Sequence, residues 1–225
     1  MITRITTQDA SNTSAAASVS ATYAATPTKG RLLVAAVWSN KPTGSNLITN
    51  WTVVQDRPLV ASGNSVTVLA KIATGSESTT VTATSSTATN MRLFITEYDG
   101  VNSATVTDAV HASGGQSNGA AATAVTNDAI ASFTALGGGG AGNILVFEAI
   151  AWGAATSSPA FGVGSLLYNN TRMCVGEDLD ATHSGHLLST SHFSTWSWTT
   201  STTYGVASVA FRGRDNTIPM TGVGQ

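Results

Sequence analysis

Short runs in which apolar and polar residues alternate most constrain the fold of this chain, because a period of two is that of a β-strand. The segment 65–73 alternates in this way, and one of its faces is apolar, with Val66, Val68, Ala70 and Ile72. Similar runs recur between turn residues, a pattern typical of β-sandwiches. We therefore expect an all-β fold: a two-sheet antiparallel sandwich, jelly-roll-like, with extended terminal arms.

The scarcity of charged residues limits the classes of function that the chain can have. Only 10% of the residues are charged, against roughly a quarter in an average soluble domain. The net charge is −2 and the basic residues are scattered, which argues against nucleic-acid binding, since that needs clustered Lys and Arg. A surface with few charges is also poorly protected against self-association. We expect this surface to be covered by neighbouring subunits.

Two nearly continuous apolar runs, 31–38 and 143–152, each end in a tryptophan. The run 31–38 predicts a strand that is covered on both faces, and 143–152 predicts a second strongly apolar strand. Each run follows a glycine turn and a lighter alternating strand, at 17–22 and 131–136. We call this similarity between the two halves the echo. Two similar halves are typical of a jelly roll built of two Greek keys, although two strands that are both deeply buried would also resemble each other in sequence.

We predict one domain over residues 15–213, preceded by a segment 1–14 and followed by an arm 214–225. Residues 113–142 are mostly Gly, Ala, Ser and Thr, which predicts long loops around one strand at 129–136. Both terminal segments are expected to reach a neighbouring subunit. The predicted contact residues of the C-terminal arm are Arg214, Ile218, Pro219 and Met220.

Two strings resemble catalytic or cofactor motifs, and their context excludes both. Gly115 to Gly119 matches a nucleophile elbow, but that motif needs a strand-to-helix turn and following acid and His residues. Gly137 to Gly142 matches a dinucleotide-binding loop, but an apolar β-type run follows where a helix would have to begin. We predict no catalytic residue and no cofactor.

Carboxylates and imidazoles are concentrated between residues 177 and 192, and both are metal-ligand types. If 186–192 is a strand, His186 and His192 lie about 20 Å apart, at roughly 3.3 Å per residue. Only the loop 177–186, which includes His183, could then close on an ion. A solvated loop is the favoured interpretation, and we predict no metal site. His111 stands apart from this group.

The remaining carboxylates and the cysteine also indicate that the chain is not an enzyme. Glycosidases need two carboxyls that face each other across a cleft, and Glu97, Asp99 and Glu148 offer no persuasive pair. Glu148 lies in an apolar strand and is expected to point to solvent or to a partner subunit. Cys174 is the single cysteine, so an intramolecular disulfide is excluded and a buried apolar role is expected.

Aromatic residues near the end of the chain allow two interpretations. Trp196 and Trp198 share one face of a short predicted strand, and Tyr204 opens the next strand. Core packing is the favoured interpretation, because aromatic side chains bury large apolar areas. The alternative is a stacking platform for a sugar ring, or a set of anchors in a subunit interface.

Several loose β patterns occur in order between about Ala15 and Gly213: 30–35, 51–54, 68–71 with 75–77 after it, 97–101, and the closing 204–213. This combination resembles a family of tailed-bacteriophage virion proteins with a jelly-roll-like sandwich. The resemblance implies a head decoration (cement) protein or a tail-associated structural protein, often a homotrimer, without enzymatic activity. The Gly/Ala-rich segment 113–142 departs from the compact pattern of that family.

The expected partners follow from that resemblance: further copies of this chain, with a trimer favoured, and the major capsid or tail protein of the same particle. We expect assembly in the host cytoplasm, because the N-terminus lacks a secretory signal pattern. No membrane partner is expected, since no apolar run approaches the ~20 residues of a membrane span. The alternative is a carbohydrate-binding or receptor-recognition domain of a tail fibre or secreted protein, with a glycan as partner.

Overall fold

The computed structural model describes residues 2–12, 16–39, 47–59, 63–101, 104–131, 144–157, 159–162, 164–178 and 191–214. Of these, residues 86–89, 111–112, 118–119, 127–131 and 191–193 are described through their backbone alone. The described chain is almost entirely β-structure. Its strands are β1 (Thr3–Ser11), β2 (Ala16–Thr22), β3 (Leu32–Ser39), β4 (Thr52–Pro58), β5 (Ser65–Ile72), β6 (Thr80–Thr89), β7 (Met91–Asp99), β8 (Val110–Ala131), β9 (Ile144–Trp152), β10 (Ala160–Phe161), β11 (Ser165–Asn169), β12 (Met173–Asp178) and β13 (Ser191–Arg212).

The strands form three antiparallel sheets. The first sheet has the order β1-β7-β3-β5-β4, and β2 and β6 form a separate pair. In the second sheet β13 pairs with β8 and β9, and β12 and β11 follow β9. The short strand β10 pairs with the first part of β13. In the described part of the chain, one four-residue helix, α1 (Val106–Ala109), connects the first sheet to the second and is capped by Thr105.

The two larger sheets pack face to face around a central apolar core, which confirms the all-β sandwich. Alternate residues of β3 face this core, namely Leu32, Val34, Ala36 and Trp38, and so do Leu145, Phe147, Ala149 and Ala151 of β9. The predicted face of β5 is confirmed, because Val66, Val68 and Ala70 lie in the same core. The finer jelly-roll description stays a prediction.

Each larger sheet is also covered on its outer face. The β2–β6 pair packs over Leu33, Ala35 and Val37, the other face of β3. On the second sheet, the last part of β8 and the first part of β13 pack over Ile150 and Trp152, the other face of β9. This double coverage confirms the prediction made from the run 31–38, since a strand buried on both sides has no polar face, and the structure shows the same two-sided burial for β9.

The two halves of the chain repeat one sheet topology. Strands β8, β13, β9, β12 and β11 take the places that β1, β7, β3, β5 and β4 have in the first sheet. The hairpins β4–β5 and β11–β12 even have a register irregularity at the same place, where Val54 and Leu167 pack against the central core. The echo in the sequence therefore corresponds to a repeated sheet, with β4 of one half packed against β8 and β13 of the other.

The tryptophans that draw attention to the echo are not equivalent. Leu32 pairs with Tyr98 and Leu145 pairs with Phe211, so the two apolar strands align on these leucines. In that alignment Trp38 and Trp152 are one residue out of step. Because successive side chains of a strand point to opposite faces, Trp38 lies in the central core and Trp152 on the outer face of the second sheet.

Two predicted segments are wrong in their secondary structure. Residues 113–131, expected to be mainly loops, belong to the long strand β8, whose small residues pair with β13. Gly115 lies so close to Arg57 and the carbonyl of Val206 that a Cβ atom would clash, which explains a glycine in a strand. Most of the segment 1–14, expected to lie outside the domain, is β1 and pairs with β7 of its own chain, and that it reaches a neighbour stays a prediction. Residues 132–142 lie outside the described residues.

The central core makes a stability prediction. Phe147 is fully buried between the sheets, with its ring centroid 6.3 Å from that of Phe94. We expect Phe147→Ala to lower the free energy of unfolding by about 3–5 kcal/mol, because the cavity would lie where both sheets meet. Urea unfolding measures the change, and Thr126→Ala on an exposed position of β8 is the control, expected within about 0.5 kcal/mol of the parent. A loss for Phe147→Ala no larger than the control's would contradict the two-sheet core.

Candidate functional site

The aromatic residues singled out in the sequence lie inside the chain. Trp196, Trp198 and Tyr204 are 1%, 5% and 3% exposed. Trp198 contacts the rings of Trp152 and Tyr204, at centroid distances of 5.7 and 5.4 Å, and Trp196 packs 4.5 Å from Phe161. This arrangement agrees with core packing. A stacking platform needs an exposed ring face, and these rings are covered by the outer part of the second sheet.

This packing predicts a structural effect for Trp198. We expect Trp198→Ala to lower the free energy of unfolding by about 3–5 kcal/mol, because a large buried ring is lost. Trp198→Phe is the matched variant, and it should lose less, since it keeps a ring and removes an indole N–H that is buried without a partner. Thermal and urea unfolding measure both changes. Full stability of Trp198→Ala would show that the ring is not part of the core.

Buried carboxylates are held by neighbours from their own chain. Glu148 is fully buried and accepts hydrogen bonds from Ser194 Oγ at 2.5 Å and Trp196 Nε1 at 3.0 Å. The expectation that Glu148 points to solvent or to a partner subunit is wrong, because the outer part of β13 folds over it. Glu97 is also buried, and it binds the backbone N–H of Thr28 and the Arg31 guanidinium.

A charged contact that the sequence did not indicate joins the two sheets at one edge. Tyr98 of β7 donates its hydroxyl proton to Glu177 of β12 at 2.6 Å, and Arg4 of β1 forms an ion pair with the other carboxylate oxygen. Burial raises the pKa of Glu177, and burial together with the nearby Glu177 charge raises the pKa of Tyr98. Arg4 and Glu177 are 173 residues apart, so no local pattern relates them.

The buried Glu177 carboxyl predicts a pH dependence. Since its pKa is raised above the ordinary 4.5, its contribution to stability is fully present below that value and is lost as the pH rises through the folded-state pKa. We expect Glu177→Gln to gain stability relative to the parent as the pH rises from about 4 to 7. Urea unfolding at a series of pH values measures the difference.

Glu77 is a control, because its pKa is shifted in the opposite direction. Burial alone would raise the pKa of Glu77, but hydrogen bonds from Thr74 and Gly75 lower it to about 2. Its contribution is therefore present above 4.5 and is lost as the pH falls towards 2, so the difference between the parent and Glu77→Gln should shrink in acid. If Glu177→Gln followed the same trend as Glu77→Gln, Glu177 would not be a buried carboxyl of raised pKa.

The predicted metal and thiol positions are only partly described. Asp178 is buried beside Glu177 at the end of β12, whereas His183 and His186 lie outside the described residues and His111 and His192 are described only through their backbone. Within the described ranges, no three His, Cys, Asp or Glu side chains group together as a metal site would require. Cys174 is fully buried, as expected, and burial raises the pKa of its thiol to about 12.

The Arg4–Glu177 contact identifies one lateral edge of the sandwich, where β1 ends the first sheet and β11 ends the second. Ile5 follows Arg4, and Leu166 follows Ser165, which pairs with Glu177. Ile5 and Leu166 are 43% and 39% exposed, and they are the exposed large hydrophobic residues among those the structure describes. We call the exposed sides of β1 and β11 the lateral edge, and it is the candidate contact surface.

The start of the predicted C-terminal arm is attached to its own chain. The Arg214 backbone N–H donates to the Gly100 carbonyl at 2.8 Å, and its guanidinium contacts the Val101 carbonyl and the Asp99 carboxylate. Ile218, Pro219 and Met220 lie outside the described residues. That residues 215–225 reach a neighbour stays a prediction.

Comparisons with known proteins add no relative: no protein-family model, curated protein or solved structure matches this chain.

The elbow-like string from Gly115 to Gly119 lies within β8, not at a strand-to-helix turn. The glycine string from 137 to 142 lies outside the described residues. In the part of the chain that the structure describes, no helix has the length and apolar character needed to cross a membrane.

Proposed function

We propose that this chain is a non-enzymatic structural protein of a bacteriophage particle, a capsid decoration (cement) protein that assembles as a symmetric oligomer. A trimer is the favoured state, and the major capsid or tail protein is the proposed partner. The sequence resemblance supplies the phage assignment. The lateral edge is the structural observation that supports an assembling role, because it is a surface on which a neighbour could bury apolar side chains.

The chemistry of the lateral edge favours contact through side chains. Ile5 and Leu166 belong to different sheets. Ile5 is next to Arg4, which forms the ion pair with Glu177, and Leu166 is next to Ser165, which pairs with Glu177 in the sheet. Each edge strand has a register irregularity, at Ile5 in β1 and at Leu167 in β11, and such bulges disfavour continuous strand addition. A second copy of this chain is therefore proposed to pack its own aliphatic residues on the pair.

The arrangement of carboxylates supports the non-enzymatic part of the proposal. Glu97, Glu148 and Glu177 are buried in three different places, and each accepts hydrogen bonds from neighbours that hold strands together. A pair of catalytic carboxyls would instead face each other across a space that admits substrate. Glu148 and Glu177 join layers of the sandwich, and Glu97 holds the turn that leads into β3.

Light scattering after size exclusion tests the assembly. We expect the parent chain to elute with the mass of a trimer, and Ile5→Lys and Leu166→Lys each to shift the population towards monomer by about tenfold or more, because a buried lysine charge opposes the contact. Thr126→Lys adds the same charge at an exposed position of β8 and is the matched control. Circular dichroism checks that each variant is folded.

A monomeric parent chain at high concentration would contradict the self-association. Association that Ile5→Lys and Leu166→Lys leave unchanged would instead place the contact on another surface. The particle role is tested by sedimenting the chain with phage shells that lack it. Binding to the shells supports the cement role, and a chain that remains in the supernatant overturns it.

A further inference from the structure

A cleft of about 290 Å³ lies on the outer face of the first sheet, away from the lateral edge contact. It is bounded by the β2–β6 pair, by the segment that leads into β4, and by the end of β5. Its volume lies just below the range of small-molecule sites, which is roughly 300–1,000 Å³. The cleft is therefore large enough for one small ring compound.

The cleft combines an apolar floor with a rim of hydroxyl groups. The floor is made by residues that are themselves almost completely buried, among them Leu33, Ile48 and Trp51. Thr80, Thr82 and Thr84 lie at alternate positions of β6, and all three line the cleft and are exposed. The Thr80 and Thr82 hydroxyls pair with those of Thr22 and Ser20 on β2, at 3.2 and 2.8 Å, so these two hydroxyls occupy defined positions before a ligand binds.

One ion pair lies in the wall of the cleft. Lys71 Nζ is 3.3 Å from Glu77 Oε1, and the Glu77 carboxylate also accepts hydrogen bonds from the backbone and hydroxyl of Thr74 and from the backbone of Gly75. Among the described residues that line the cleft, Lys71 and Glu77 are the charged ones. Because their charges cancel, the wall offers strong polar contacts without a net charge.

The repeated topology shows that this cleft is not a consequence of the fold alone. The corresponding outer face of the second sheet is covered by the outer parts of β8 and β13, and the rings of Trp152, Trp196 and Trp198 occupy that layer. The first sheet instead has threonines and an ion pair beside its covering strand pair. The two halves thus share a topology but differ at this outer face, which is filled by aromatic rings in the second half and has a polar cleft in the first.

We propose that this cleft binds an uncharged sugar residue. A pyranose has an apolar C–H face and a polar hydroxyl edge, which match the floor and the rim. The ammonium of Lys71 has three N–H donors and the Glu77 carboxylate has several acceptor positions, so the pair can bind adjacent hydroxyls. A phosphate or an acidic sugar would need a cation that is not already neutralised. This site is independent of the proposed particle assembly.

Saturation-transfer NMR with the full chain tests the proposal. The neutral probes are methyl glycosides of glucose, galactose and mannose, with N-acetylglucosamine, and the charged comparators are glucuronate and glucosamine. We expect at least one neutral probe to receive saturation and the comparators to bind at least tenfold more weakly. A glycan array of neutral oligosaccharides then extends the search to longer chains.

Two variants place the binding in the cleft. Lys71→Met should weaken binding at least tenfold, and Thr84→Val about threefold or more, because each removes a hydrogen-bonding group from the lining. Thr126→Val, on the exposed side of β8 in the other half, is the matched control and should bind like the parent. If Lys71→Met fails to fold, Thr84→Val decides the test, since its side chain is exposed.

Three results would overturn the proposal. The first is no binding of any neutral probe on NMR or on the array. The second is binding that Lys71→Met and Thr84→Val leave unchanged, which would locate the ligand elsewhere. The third is a preference for glucuronate or glucosamine over the neutral sugars. None of these results depends on the oligomeric state, so failure here and failure of the assembly proposal are distinguishable.

Discussion

The structure depends on the burial of both faces of its two central strands. β3 and β9 are apolar on each side, so neither strand could form the surface of an ordinary two-layer sandwich without exposing large hydrophobic residues. The chain meets this constraint by adding a covering strand pair outside each larger sheet. The result is three apolar layers, and the positions of the other strands follow from them.

The covering layers also determine where polar groups can lie. On the second sheet the cover is aromatic, and Glu148, which lies beneath it, is held by Ser194 and Trp196. On the first sheet the cover is a narrow pair rich in threonine, and a polar cleft remains beside it. One topology used twice thus gives a packed face in one half and an accessible one in the other.

Much of the fold could be predicted from local pattern. The alternation in β5 and the continuous apolar runs of β3 and β9 reveal their buried faces, because side-chain direction in a strand repeats every two residues. The pattern fails in β8, where Gly, Ala, Ser and Thr have too little hydrophobic contrast to show alternation. It also fails at β1, because a Thr-rich edge strand and an extended arm have similar composition.

The sequence by itself determined the fold class, the low charge and the faces of the central strands, since these depend on residues close together in the chain. Only the tertiary structure decided which distant residues meet. It brought Arg4 to Glu177, folded β13 over Glu148 and the tryptophans, and placed Lys71 beside the threonines of β6. Such contacts depend on how the strands are ordered within the sheets and how the sheets stack. Neither the amino-acid composition nor the period of the hydrophobic pattern predicts that order.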